Sequence, residues 1–178
     1  QRLFDEQEFL SPFGIRSLSA SYREPYSAEV DGQWMEIDYQ PGESRSNMFG
    51  GNSNWRGPIW FPVNVLLADA LRVYDDYFDH TNTFEMPTGS GNHKTPAEAA
   101  EEIDQRLVNL FRKGPDGRRP SDGHRIEATS GPLWDHITFS EYFDGDTGEG
   151  LGATHQTGWT ALVAHVLCRR QPGDTPRR

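Results

Sequence analysis

The 178 residues carry 27 acidic against 17 basic side chains, a formal net charge of −10. No run of Lys and Arg interleaved with aromatics offsets it, which argues against nucleic acid as a partner. Only 34% of the chain is hydrophobic, so the core is modest or is completed by something else, yet five Trp, six Tyr and ten Phe argue against disorder and suit flat, partly apolar ligands.

In chain order, residues 1–48 are dominated by turn signals, Ser11-Pro12-Phe13-Gly14, Glu24-Pro25, Asp31-Gly32 and Pro41-Gly42 among them, with a short helix predicted to end near Leu10. The first long helix is predicted after Pro58, where Ile59, Val63, Leu66, Leu67, Ala70, Leu71, Tyr74 and Phe78 recur at i, i+3, i+4 spacing. A proline at 58 or 62 fits only its first turn, having no backbone N–H to give. Thr95-Pro96-Ala97-Glu98 is a capping box with proline at the first helical position, and it predicts a second helix through Ile103 and Leu107 to a stop at Gly114-Pro115. Residues 137–143 read as a short extended segment that places Glu141 on one face with Ile137, Phe139 and Phe143. A third helix is predicted over 157–167 with Trp159, Leu162, Val163, Val166 and Leu167 buried, and the polar stretch 171–178 as a frayed tail. No apolar stretch approaches the roughly 18 residues of a membrane span, so no membrane partner is expected. The lone Cys168 falls in the last apolar run and is expected to be a buried or half-buried thiol.

Chemistry concentrates in the run Asn52-Ser53-Asn54-Trp55-Arg56-Gly57-Pro58-Ile59-Trp60, continuing to Asn64, which puts two indoles, a guanidinium and three amides at the start of a helix. Pyranose rings present CH faces that stack on indoles and hydroxyls that need amide, guanidinium and carboxylate partners, so this stretch is furnished for a sugar. Trp55 and Trp60 also fit as core aromatics. Two other signals are set aside. Asp144-Gly145-Asp146-Thr147-Gly148 echoes a calcium loop, but its twelfth position is His155 and a turn is expected instead. Asp135-His136 lacks a serine in a nucleophile-elbow setting. No metal and no cofactor is expected.

The runs Trp55-Arg56-Gly57-Pro58-Ile59-Trp60, Glu141-Tyr142-Phe143 and His155-Gln156-Thr157-Gly158-Trp159-Thr160 occur in this order in bacterial members of glycoside hydrolase family 63 and their mannosylglycerate-hydrolase-like relatives. The stretches from Phe9 to Leu18 and from Asp116 to Pro120 also resemble that group, so the likeness covers about residue 3 to residue 168. It implies a mainly α fold, the C-terminal helices of an (α/α)6 toroid with long active-site loops, spanning residues 1–170. With Gln1 in place of a starting methionine, it also implies that the remainder of the barrel lies upstream as a partner for this segment.

By the same resemblance the activity is inverting hydrolysis of an α-linked glucoside or mannoside, with Glu141 as general base and Trp55, Arg56, Trp60 and Gln156 binding the sugar. A base must stay ionised, so apolar neighbours at Glu141 call for a compensating donor, and Arg56 is the residue expected to supply it. His155 is expected to be structural. The family's general acid is an aspartate in a Trp-Asp motif upstream of everything in this sequence; Trp134-Asp135 stands in the wrong order and context. A non-catalytic carbohydrate-binding or scaffold module, and a trehalase-like or glucoamylase-like hydrolase, remain as alternatives. A lone thiol and the lack of an N-linked acceptor motif point to a cytoplasmic location.

Overall fold

Thr95 caps its helix in both directions. Its hydroxyl accepts the Glu98 N–H at 3.2 Å while the Glu98 carboxylate accepts the Thr95 N–H at 2.8 Å, satisfying two donors that a helix start leaves orphaned. The computed structural model describes residues 1–46, 54–124, 135–155, 158–159 and 161–169. Within them lie three α-helices, α1 (Phe61–Tyr77), α2 (Pro96–Asn109) and α3 (Leu162–Arg169). Eight short strands pair as four two-stranded antiparallel sheets: β1 (Leu10–Ser11) with β2 (Gly14–Ile15), β3 (Tyr26–Val30) with β4 (Gln33–Ile37), β5 (Phe84–Glu85) with β6 (His93–Lys94), and β7 (Ser140–Phe143) with β8 (Gly150–Thr154).

This corrects the fold class. A mainly α toroid segment was expected, whereas helices and small antiparallel hairpins share the described residues. Strands of two to five residues are too brief to show a period of two, and β3 and β4 are solvent-exposed along most of both faces, so no burial pattern marks them. The helix expected near Leu10 is a single 3-10 turn, Arg2–Phe4, followed by strand β1. Helix α3 spans Leu162–Arg169, with Val163 and Val166 buried and Leu167 and Cys168 exposed, while residue 157, its expected start, lies outside the described residues. Cys168 lies off the Val163–Val166 face, which corrects the expectation of a buried thiol. No helix among the described residues is long and apolar enough to cross a membrane.

The core lies between α1 and α2, where Phe61, Val65 and Ala68 meet Ala99, Ala100, Ile103 and Leu107. Buried Asn64 clamps β2 to α1: its Oδ1 accepts the Ile15 N–H at 2.6 Å, and its Nδ2 donates to the Ile15 and Trp60 carbonyls at 3.0 Å each. A second clamp joins all three helices. Asp104 of α2 is fully buried and accepts from Arg72 of α1 at 2.7 Å and from Arg169 of α3, which also reaches Asp69 of α1. The double pairing compensates the charge that burial removes from water, and it anchors the helix that follows the Trp159 turn.

At the far end of α1, buried Asp75 accepts a short hydrogen bond from the exposed His80 ring. Burial works against the Asp75 charge, but the His80 hydrogen bond and the Ala97 amide hold its carboxyl below the ordinary 3.8. The same hydrogen bond and the Asp75 charge, with Asp76 and Asp79 nearby, hold His80 above its ordinary 6.5. The signs bracket a window. The His80 contribution is complete below 6.5 and fades as pH rises through the raised folded value, while the Asp75 contribution is complete above 3.8 and fades as pH falls. The melting temperature should therefore drop, as the pH is raised above 6.5, by more in the wild type than in His80→Gln. Parallel curves for the two proteins would remove the pair from the stability account.

Candidate active site

The Trp55–Trp60 run is pinned at both ends by its own amides. Asn54 Nδ2 donates to the Gln40 and Gly42 carbonyls at 2.6 and 2.7 Å, its Oδ1 accepts the Arg56 N–H at 3.0 Å, and its carbonyl accepts Trp60 Nε1 at 2.8 Å. Gly57, at φ +141°, passes so close to Tyr39 that a Cβ would stand 2.7 Å from the ring, which explains a glycine between Arg56 and Pro58. Just before α1, Ile59 exchanges main-chain hydrogen bonds with Phe143 of β7 at 2.8 and 3.0 Å. Two motifs about eighty residues apart in the chain are thereby laid edge to edge.

That pairing assembles an aromatic stack. Trp55 and Trp60 lie parallel with ring centroids 3.8 Å apart, Trp60 stacks on Tyr142 at 4.9 Å, and Trp159 meets Trp60 edge-on at 6.0 Å. The exposures divide the work. Trp60 is 2% exposed and Tyr142 fully buried, whereas Trp55 is 42% exposed and Trp159 37%. Trp60, expected at the sugar surface, is thus the covered centre of the stack, and Trp55 is the exposed ring of that hexapeptide. Burial, reinforced by the negative charges of Glu43 and Glu141, pushes the Tyr142 hydroxyl up to about 12, so it stays a neutral donor.

Glu141 sits beside this stack on β7, half-buried. Its carboxylate accepts the Ala153 N–H of β8 at 3.2 Å, and its main-chain carbonyl accepts Trp159 Nε1 at 3.2 Å. The three motif segments meet around Trp60, which stacks on Tyr142 and takes Trp159 edge-on. Gln156 and Thr157 lie outside the described residues, as do Asn52, Ser53 and Trp134.

The Arg56 guanidinium is buried and is held by the 38–46 loop, donating to Gln40 Oε1 at 2.9 Å and to the Ser44 and Ser46 hydroxyls at 2.7 and 3.1 Å, with Asp38 at 3.5 Å. It fastens that loop under the Trp55 segment. One donor at Glu141 is a backbone amide of β8, that of Ala153, which residue order hardly marks. The one signal for it was the glycine pair Gly150 and Gly152 inside a strand, a mark of close approach or of a bulge.

The Asp144–Glu149 turn that joins β7 to β8 is built as the sequence reading expected of a turn. Asp144 Oδ1 accepts the N–H groups of Asp146 and Thr147, both at 2.8 Å. Asp146 in turn accepts the Tyr39 hydroxyl at 2.9 Å and pairs with Arg16 and Arg23. Burial opposes its charge, but Tyr39 and Arg23 outweigh that and hold its carboxyl below the ordinary range. The hairpin carrying Glu141 is thereby tied to the N-terminal segment. His155, at φ +58°, donates its N–H to the Phe139 carbonyl at 2.7 Å and sets its ring edge-on to Phe139, a structural placement. Asp135 lies at the surface with Lys113 and Arg119.

Residues 1–160 match the sequence profile of the mannosylglycerate hydrolase MGH1-like glycoside hydrolase domain, and the chain belongs to that family. The resemblance to glycoside hydrolase family 63 is borne out with it. Among curated relatives, an uncharacterized protein of Saccharomyces cerevisiae is 48% identical over 96% of this chain and 17% of its own length. A probable mannosyl-oligosaccharide glucosidase of Schizosaccharomyces pombe is 27% identical over 92% of this chain and 14% of its own. The mannosyl-oligosaccharide glucosidase of Saccharomyces cerevisiae is 29% identical over 70% of this chain and 12% of its own. The chain thus spans less than a fifth of the length of each.

Proposed function

We propose that the chain supplies the general base and a sugar platform of a glycoside hydrolase that cleaves α-linked glucosides or mannosides with inversion. The observation that carries this reading is that the Glu141 carboxylate lies next to Tyr142, the buried end of a stack that runs through Trp60 to the exposed Trp55. In such a reaction the ionised Glu141 takes a proton from water as that water attacks the anomeric carbon, while a protonated carboxyl opposite gives its proton to the departing oxygen. The two carboxyl groups stand roughly 6.5–9.5 Å apart to admit the water. The acid is assigned to a Trp-Asp motif elsewhere in the protein, since no matching segment occurs among these residues. On this reading, this segment by itself hydrolyses nothing. Trp55 receives the apolar face of the sugar, Trp60 and Arg56 hold Trp55 and its loop in place, and Gln156 hydrogen-bonds the substrate by resemblance. Similarity to a mannosyl-oligosaccharide glucosidase and to a probable one favours a glucoside.

The test is hydrolysis by the complete gene product of α-glucosides and α-mannosides. Release of reducing sugar is expected. Binding without release would favour the carbohydrate-recognition module, whose only requirement is the Trp55 platform.

A further inference from the structure

The pairing of β7 with β8 slips by one residue at Glu141. Ser140 faces Thr154 and Tyr142 faces Leu151, so Gly152 and Ala153 together stand opposite Glu141 alone. That is a β-bulge, and Gly152 adopts the left-handed φ of +70° that one common class of bulge requires at its first position. The fit is tight. A Cβ on Gly152 would stand 2.8 Å from Glu141 Oε2 and 2.7 Å from Tyr142 Cε1, closer than side-chain atoms approach, so only glycine lets β8 lie this near. The bulge also re-aims the next peptide group, whose Ala153 N–H meets Glu141 Oε2 at 3.2 Å.

We infer that the Gly152-Ala153 bulge is a positioning device for the Glu141 carboxylate, with Gly152 admitting the strand and the Ala153 amide orienting and supporting the ionised group. The inference rests on the reading of Glu141 as general base. It assigns to the main chain the support that Arg56 was expected to give. A strand-borne amide suits the task because it is held by the ladder on either side, loses no rotamer freedom when it binds the carboxylate, and brings no net positive charge that would bind the proton-accepting group as an ion pair. Trp159 Nε1 on the main-chain carbonyl of the same residue fixes the other end of Glu141.

The test replaces Ala153 by its α-hydroxy acid in the complete gene product, which turns one peptide into an ester and deletes the N–H while keeping the methyl group. The expected result is a fall in kcat of about tenfold to a hundredfold with KM changed by less than about twofold, as for loss of a hydrogen bond to a charged group. In a Glu141→Gln background the same ester should cost nothing further, because the amide acts through that carboxylate. Gly152→Ala gives a second arm with the same expected split, kcat lowered and KM kept. Wild-type kcat in the ester protein or in folded Gly152→Ala, or an equal loss in the Glu141→Gln background, would overturn the positioning role. Full activity of Glu141→Gln by itself would instead remove the general-base reading on which the role depends.

Discussion

Glu141→Gln should lower turnover of an α-glycosyl fluoride by several orders of magnitude and leave the fold unchanged. The amide matches the carboxylate in shape and can still accept the Ala153 N–H, so the strand pairing and the Trp159 contact survive. What disappears is the capacity to take a proton from water, and general-base assistance alone is worth about 10²–10⁴-fold. A fluoride leaves without help from the general acid, so the assay reports on the base and on little else. KM should stay near the wild-type value, since the uncharged side chain removes no stacking surface. Retention of more than about a tenth of the activity would take Glu141 out of the base role.

The second large effect separates the two tryptophans of the hexapeptide. Trp60→Ala empties the centre of a stack in which the ring is 2% exposed and in contact with Trp55, Tyr142 and Trp159, and it strips the Asn54 carbonyl of its indole donor. A cavity of that kind costs about 3–5 kcal/mol, a large share of a typical domain's stability, so chemical denaturation should show a much lowered midpoint. Trp55→Ala removes a ring that is 42% exposed and should cost about 1 kcal/mol of stability. Its effect belongs to binding, where loss of a stacking face should raise KM about tenfold or more while the denaturation midpoint barely moves. Interchanged phenotypes, with Trp55 essential to folding and Trp60 to binding, would contradict the division drawn from their burial.

Much of this was legible from residue order, and the failures have physical causes. Helices α1 and α2 could be read because long apolar periods, Pro62 in the first turn and the Thr95 capping box agree with one another. The hairpins could not. Residues of β3 and β4 such as Tyr26, Trp34 and Met35 face solvent, and their pairing follows from the Asp31-Gly32 turn rather than from burial. The toroid was implied by resemblance alone, and the small sheets displace it.

At the site, the resemblance grouped the Trp55–Trp60 and Glu141-Tyr142-Phe143 runs, and Tyr142 and Phe143 do adjoin Trp60 and Ile59. The partner of Arg56 was not legible. Asp38 and Gln40 lie in a segment whose turn signals give no hint of a buried guanidinium, and only the Asn54 and Gly57 contacts bring that loop under Trp55. Gly152 is marked in the sequence only by its spacing from Gly150. Its positive φ and its distance to Glu141 are properties of strand pairing, which no single-chain pattern encodes.

The most direct measurement is the anomeric configuration of the first sugar released by the complete gene product from an α-glycoside, followed by proton NMR before mutarotation sets in. A base that activates water on the face opposite the leaving group predicts the β-anomer first. Initial release of the α-anomer would mean that a carboxylate had attacked the sugar covalently, and the role given to Glu141 would fall.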